Sequence, residues 1–197
     1  MNRKIIAAFA VSALLMAGAC STPVTTQTLP QMSFTHLGVL NFNVESIEID
    51  NRYKASNNSS QIEARFPTPP ATAIRTWAID RFKPVGPAGS GTLRIVINQA
   101  SVKETDLKLE KGFTATFTKQ QSNQYDLIMD IALEIIDGSG KQVGFSAAKA
   151  SRSITTGEDL SLNDRDKRWF EMTEKAMAEL NAEMESNIRR YLASWLR

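Results

Sequence analysis

The chain has 197 residues, with 23 Lys and Arg against 21 Asp and Glu, one His and one Cys. One His and one Cys exclude a disulfide framework, a Cys cluster and a two-His zinc site. Near-balanced charge without a clustered basic face excludes a nucleic-acid footprint, and the length suits one domain with its own core.

Residues 1–19 read as a secretory signal. Asn2-Arg3-Lys4 carries positive charge, Ile5 to Met16 is apolar except for Ser12, and Ala17, Gly18 and Ala19 are small. A basic start, a short apolar segment and small residues before the cleavage point make up that layout. The apolar run is too short to span a bilayer, which needs about 20 residues. The small residues run directly into Cys20. This ending resembles the lipobox of bacterial lipoproteins, with Ala17 where the family prefers Leu. The resemblance implies cleavage before Cys20 and acylation of its thiol. Acylation also accounts for a lone Cys in a secreted chain, where oxidising conditions favour pairs. Each buried acyl methylene contributes about 0.8 kcal/mol of membrane attachment, so several long chains anchor permanently. Ser21 follows in place of Asp, which in this family implies the outer membrane in preference to the inner. Losing Arg3 and Lys4 with the signal takes the 23 basic residues to 21, equal to the 21 acidic ones.

Ser21 to Gln31 is rich in Thr, Pro and Gln without periodicity, and reads as an extended tether. Val39 to Ile49 is the first strand, with Leu40, Phe42 and Val44 on one parity and Ile47 and Ile49 on the other. That shift places a bulge or break near Glu45–Ser46. Asn51 to Gln61 is a polar loop. Thr68 and Pro69 read as the N-cap and first residue of a helix carrying Ile74, Trp77, Ala78, Arg81 and Phe82. Pro84, Gly86, Pro87, Gly89 and Gly91 end it. Alternation then places strands at Thr92–Val102, around Phe113, Ala115 and Phe117, and at Tyr125–Ile136. Asp137-Gly138-Ser139-Gly140 is a turn. Gln142–Ile154 is the hairpin partner, with Val143, Phe145 and Ala147 on one face.

Ser161 or Asn163 caps a long final helix. Trp169, Met172, Ala176, Met177, Leu180, Met184, Ile188, Tyr191 and Trp195 form one stripe at steps of three and four. From Asn163 to Trp195 the helix would run roughly 50 Å, longer than strands of about 20 Å can cover. Two readings follow: core packing against the sheet, which explains most of the stripe, and a far half, Ile188 to Arg197, that overhangs and meets a partner or the membrane surface. Arg189, Arg190, Tyr191 and Trp195 are the candidate contacts there. The order of elements gives an α+β two-layer sandwich, with an antiparallel or mixed sheet of four to five strands and two helices. The domains are a signal at 1–19, a lipidated tether at 20–32 and one α+β domain at 33–197.

Motifs of catalysis are absent from the sequence, so no enzyme, metal or cofactor is expected. His36, the single His, lies near the tether. Gly86 to Gly91 lacks the Lys-Ser/Thr ending of a phosphate loop and precedes a strand. No G-x-S-x-G elbow occurs. Asp126, Asp130 and Glu134 share a strand face, but neighbours four residues apart are about 13 Å apart, beyond the roughly 5–9.5 Å of glycosidase pairs. They read as solvated carboxylates.

The lipobox, tether, strand–helix–strands order and long terminal helix resemble two envelope families. One is the auxiliary lipoproteins of ABC-type transport systems that move lipids between membranes. The other is the lipoprotein that plugs the lipopolysaccharide translocon. Ala17-Gly18-Ala19-Cys20 is the motif match; Phe66 to Pro70 and the terminal helix are supportive. The resemblance implies a membrane anchor through acylated Cys20 and a membrane-protein complex as partner. The alternative is a periplasmic protein that binds a lipid or small ligand, with an apolar cavity between sheet and helices.

Overall fold

The computed structural model describes residues 28–56, 58–107, 121–157 and 159–197. The signal, Cys20 and the strand expected around Phe113–Phe117 lie outside the described residues.

The expected first strand is two strands in two sheets. Strand β1 (Leu40–Phe42) ends at a tight bend where Val44 N–H donates to the Phe42 carbonyl at 2.8 Å. Strand β2 (Ser46–Asn51) then starts in the main sheet. The break in side-chain parity is this change of sheet. Helix α1 (Pro70–Arg81) starts one residue later than Thr68 and Pro69 suggest, with Pro69 as an N-cap that makes no side-chain bond. A residue before Pro is pushed into extended conformation, and Pro69 precedes Pro70 with φ −55° and ψ 138°.

Strand β3 (Phe82–Pro84) follows and pairs in parallel with β1. Phe82 is held edge-on by Phe42 and Trp77, at ring-centre distances of 5.6 and 4.9 Å. Strands β4 (Thr92–Asp106), β5 (Gln121–Ile136) and β6 (Gln142–Gly157) complete the main sheet in the order β2-β4-β5-β6. β2 runs parallel to β4, and the other neighbours are antiparallel. Gly91 starts this sheet with φ 96°, at a point where a Cβ would collide with the Ile136 carbonyl. In β4 the register shifts between Ile97 and Gln99. Leu93, Ile95 and Ile97 face inward before the bulge, Ala100 and Val102 after it, and all are buried.

Helix α2 (Leu162–Tyr191) is capped by Ser161, whose Oγ accepts from Asp164 N–H at 3.1 Å. Helices α1 and α2 lie on one face of the sheet, which gives the α+β two-layer architecture. The overhang expected of α2 does not occur. Strands of 15 and 16 residues reach about 50 Å, and 30 helical residues reach about 45 Å. Met184, Ile188 and Leu192 are accordingly fully buried.

Strand β6 faces opposite to what residue size suggests. Its buried residues are Ser146, Ala148, Ala150 and Thr156, while Val143 and Phe145 are exposed. The small residues let α2 lie close. A Cβ at Gly144 would come within 3.0 Å of Leu192 Cδ2 and Ile135 Cγ1. Large side chains belong on the other face, where Phe145 stands opposite Glu134.

Candidate functional site

Cys20 and Ala17 to Ala19 lie outside the described residues. The chain next to them does not hang free of the domain from residue 28 onward. Leu29 packs on the core, and Met32 and Phe34 are buried in it. Residues 29–38 form a strap across α1 and α2, so the expected boundary at 32/33 falls inside packed structure. Phe34 N–H donates to Asp80 Oδ2 at 2.8 Å. Arg81 Nη1 donates to the Leu37 and Gly38 carbonyls, and Arg81 Nη2 to Glu185 Oε2 at 2.7 Å. One buried guanidinium thus joins the strap, α1 and α2. Arg189 donates to the other Glu185 oxygen at 2.7 Å. The bond from Arg189 is the largest influence on the Glu185 carboxyl; burial opposes it, and the charges of Arg81 and Arg189 add to it, so the carboxyl is held below its ordinary value.

The candidate contacts at the end of α2 divide into two sets. Arg190 and Tyr191 are exposed, with the guanidinium 5.9 Å from the ring centre. Arg189 is already paired with Glu185. Trp195 is half-buried against the core, and its carbonyl accepts from Asn43 N–H at 2.7 Å. Trp195 fastens the end of the chain to the small sheet, where Phe42 also bridges Leu196.

Tyr191 flanks a sheet edge that no strand among the described residues pairs with. β6 is the outermost strand of the main sheet, and Asn187, one turn before Tyr191, donates to the Ala147 carbonyl at 2.9 Å. Val143, Phe145 and Tyr191 are 42, 51 and 56% exposed around the start of that edge. β6 carries Lys149 and Arg152 and no acid over its sixteen residues.

On the outer face, the three strand carboxylates do not converge. Glu134 faces Arg94 at 3.5 Å and Arg52 at 3.7 Å. Asp130 accepts from Asn98 at 3.1 Å, and Asp126 from Gln124 at 2.9 Å. Each is a surface cross-strand or same-strand contact of small energetic weight. A more buried polar group was not legible in the sequence. Glu63 is buried and accepts from Tyr53 Oη at 2.7 Å and from Val102 N–H at 3.4 Å. Burial, then the bond to Glu63, pushes the Tyr53 hydroxyl up. Nearby, Trp169 is stacked on Phe66 at 4.6 Å, with the Arg165 guanidinium 4.4 Å from its ring centre. This is core packing with a cation over the ring.

His36 is exposed on the strap and lines a cavity of about 390 Å³ between the strap and α2. Glu174 lines the same cavity, so the lone His is nearer an acid than its sequence position suggests. The cavity lies outside the sheet–helix interface, which is filled by the core. No group of three His, Cys, Asp or Glu among the described residues could hold a metal ion. No helix among them is long and apolar enough to cross a membrane.

No family model matches the chain. No curated protein matches it. Solved structures similar to it include a minor lipoprotein from Acinetobacter baumannii at 9% identity and TM-score 0.34. That match covers 75% of this chain and 93% of the other. A neuraminyllactose-binding hemagglutinin homolog from Helicobacter pylori is similar at 10% identity and TM-score 0.36, covering 80% and 92%. Likeness at these scores carries no argument about function.

Proposed function

We propose that this chain is a periplasm-facing lipoprotein, anchored through acylated Cys20 in the outer membrane, that acts as a non-catalytic accessory subunit. Its partner is a membrane-protein complex of envelope lipid transport or outer-membrane assembly. The anchor rests on the run Ala17-Gly18-Ala19-Cys20. The docking role rests on the β6 edge, which no strand among the described residues pairs with, and its exposed Val143, Phe145 and Tyr191. Edge strands of proteins that work alone are usually blunted by charge, Pro or a covering element, and β6 carries two charges in sixteen residues. A partner strand added there gains main-chain hydrogen bonds, and the flanking apolar side chains set its position. Phe145→Lys is expected to abolish co-purification of the partner from mild-detergent extracts while leaving the fold intact. Unchanged co-purification contradicts docking at this edge. A second reading, binding of a lipid or small ligand, is supported by the cavity beside the strap.

A further inference from the structure

The cavity between the strap and α2 is walled by Met32, Phe34, Leu37, Phe170 and Met177. A smaller one of about 290 Å³ lies along α1, sharing Met32 and Phe170. The larger volume falls at the low end of the range for small-ligand sites. Its walls offer dispersion contact and few hydrogen bonds. Glu174 is the one carboxylate that lines it. Among the described residues Glu174 has no hydrogen bond or ion pair. The site therefore suits a narrow apolar chain whose polar end carries a positive charge.

The position of the strap adds a constraint on the source of that chain. Ten residues separate Cys20 from Pro30, a span of at most roughly 36 Å when fully extended. With Cys20 acylated, the cavity stays within that distance of a bilayer surface. We propose that it binds one acyl chain of a neighbouring phospholipid, with the ammonium of the lipid head set against Glu174. This deepens the lipid-binding reading above and rests on the anchor. A neighbouring lipid is favoured over the protein's own acyl chain because folding the anchor back would order the intervening residues at an entropic cost.

The test is photolabelling of the lipidated protein in vesicles of phosphatidylethanolamine and phosphatidylglycerol. One lipid at a time carries a diazirine in its acyl chain, and adducts are mapped by mass spectrometry. Labelling of peptides bearing Met32, Phe170 or Met177 by the ethanolamine lipid is expected, several-fold above the glycerol lipid. Ala178→Trp, an exposed position on the cavity wall, should lower it at least tenfold. Glu174→Gln should remove the preference between lipids without removing labelling. Labelling indifferent to Ala178→Trp, or absent from these peptides, overturns the site. Equal labelling by the two lipids in the unmodified protein overturns the role of Glu174. Cavity adducts from a diazirine placed only on the Cys20 acyl chain overturn the neighbouring lipid as occupant. Incorporation of labelled fatty acid at Cys20 is measured in parallel, so failure of the anchor is read separately from failure of the cavity.

Discussion

Replacing Ile188 by Ala separates a packed α2 from an overhanging one. Ile188 is fully buried in the last turn of α2, beside Met184 and Leu192. The substitution removes three carbons, about 2.4 kcal/mol of transfer at about 0.8 kcal/mol each. The cavity left behind adds to this, and buried Ile→Ala changes cost about 2–5 kcal/mol in all. For a domain of this size the melting temperature should fall by about 6–16 °C for a loss of about 3–4 kcal/mol. Tyr191→Ala, at an exposed position, should stay within about 0.5 kcal/mol. The assay is urea unfolding followed by far-UV circular dichroism, on the chain from residue 20 with Cys20→Ala. Equal slopes are required for the midpoints to report stability. An Ile188→Ala midpoint matching that of Tyr191→Ala would refute the packing of this end on the sheet.

Other consequences concern the strap and its clamp. Arg81→Met leaves the Leu37 and Gly38 carbonyls without this donor and Glu185 with Arg189 alone, and should cost about 2–4 kcal/mol in the same unfolding assay. Glu185 has a folded pKa held below its ordinary value of 4.5. Its contribution is therefore present above that value and lost as pH falls through the lower, folded one. Glu185→Gln should lower stability at pH 7 and flatten the acid limb of a stability–pH profile below about pH 4.5; an acid limb as steep as in the parent chain counts against the pairing. Gly144→Ala crowds Leu192 and Ile135 and should cost about 1–3 kcal/mol, measured by thermal melting.

Strands β4 to β6 and helix α2 were legible because alternation and three-four spacing persist over many residues. Each strand runs three or four residues beyond its expected bounds, and the expected overhang came from assuming strands of ordinary length. β1 and β3 were not legible as a sheet, since three residues carry no period and Phe82 is fixed by contacts with Phe42 and Trp77. In β6 the alternation puts Val143, Phe145 and Ala147 on one face, which is the exposed one, and Ala148 and Ala150 make the core face because α2 sits close. The strap was hidden by composition: Met32 and Phe34 stand beside a Thr-, Pro- and Gln-rich stretch, and their burial comes from α1 and α2. At the candidate site, Arg190 and Tyr191 keep an exposed position, whereas Arg189 and Trp195 are engaged within the chain. The pairing of Arg81 with Glu185 joins residues 104 apart in sequence, and local pattern carries no trace of such a contact.

The most direct test of the account is photo-crosslinking in intact cells from probes placed at Phe145 and Arg190, with a control probe at Ile79 on the exposed side of α1. Purification in mild detergent and mass spectrometry identify what is attached. The account predicts one membrane protein crosslinked from Phe145 and Arg190, absent from Ile79 and lost in the Cys20→Ala chain. No protein adduct at either position, or the same adducts from Ile79, would contradict an anchored accessory subunit that docks through the β6 edge.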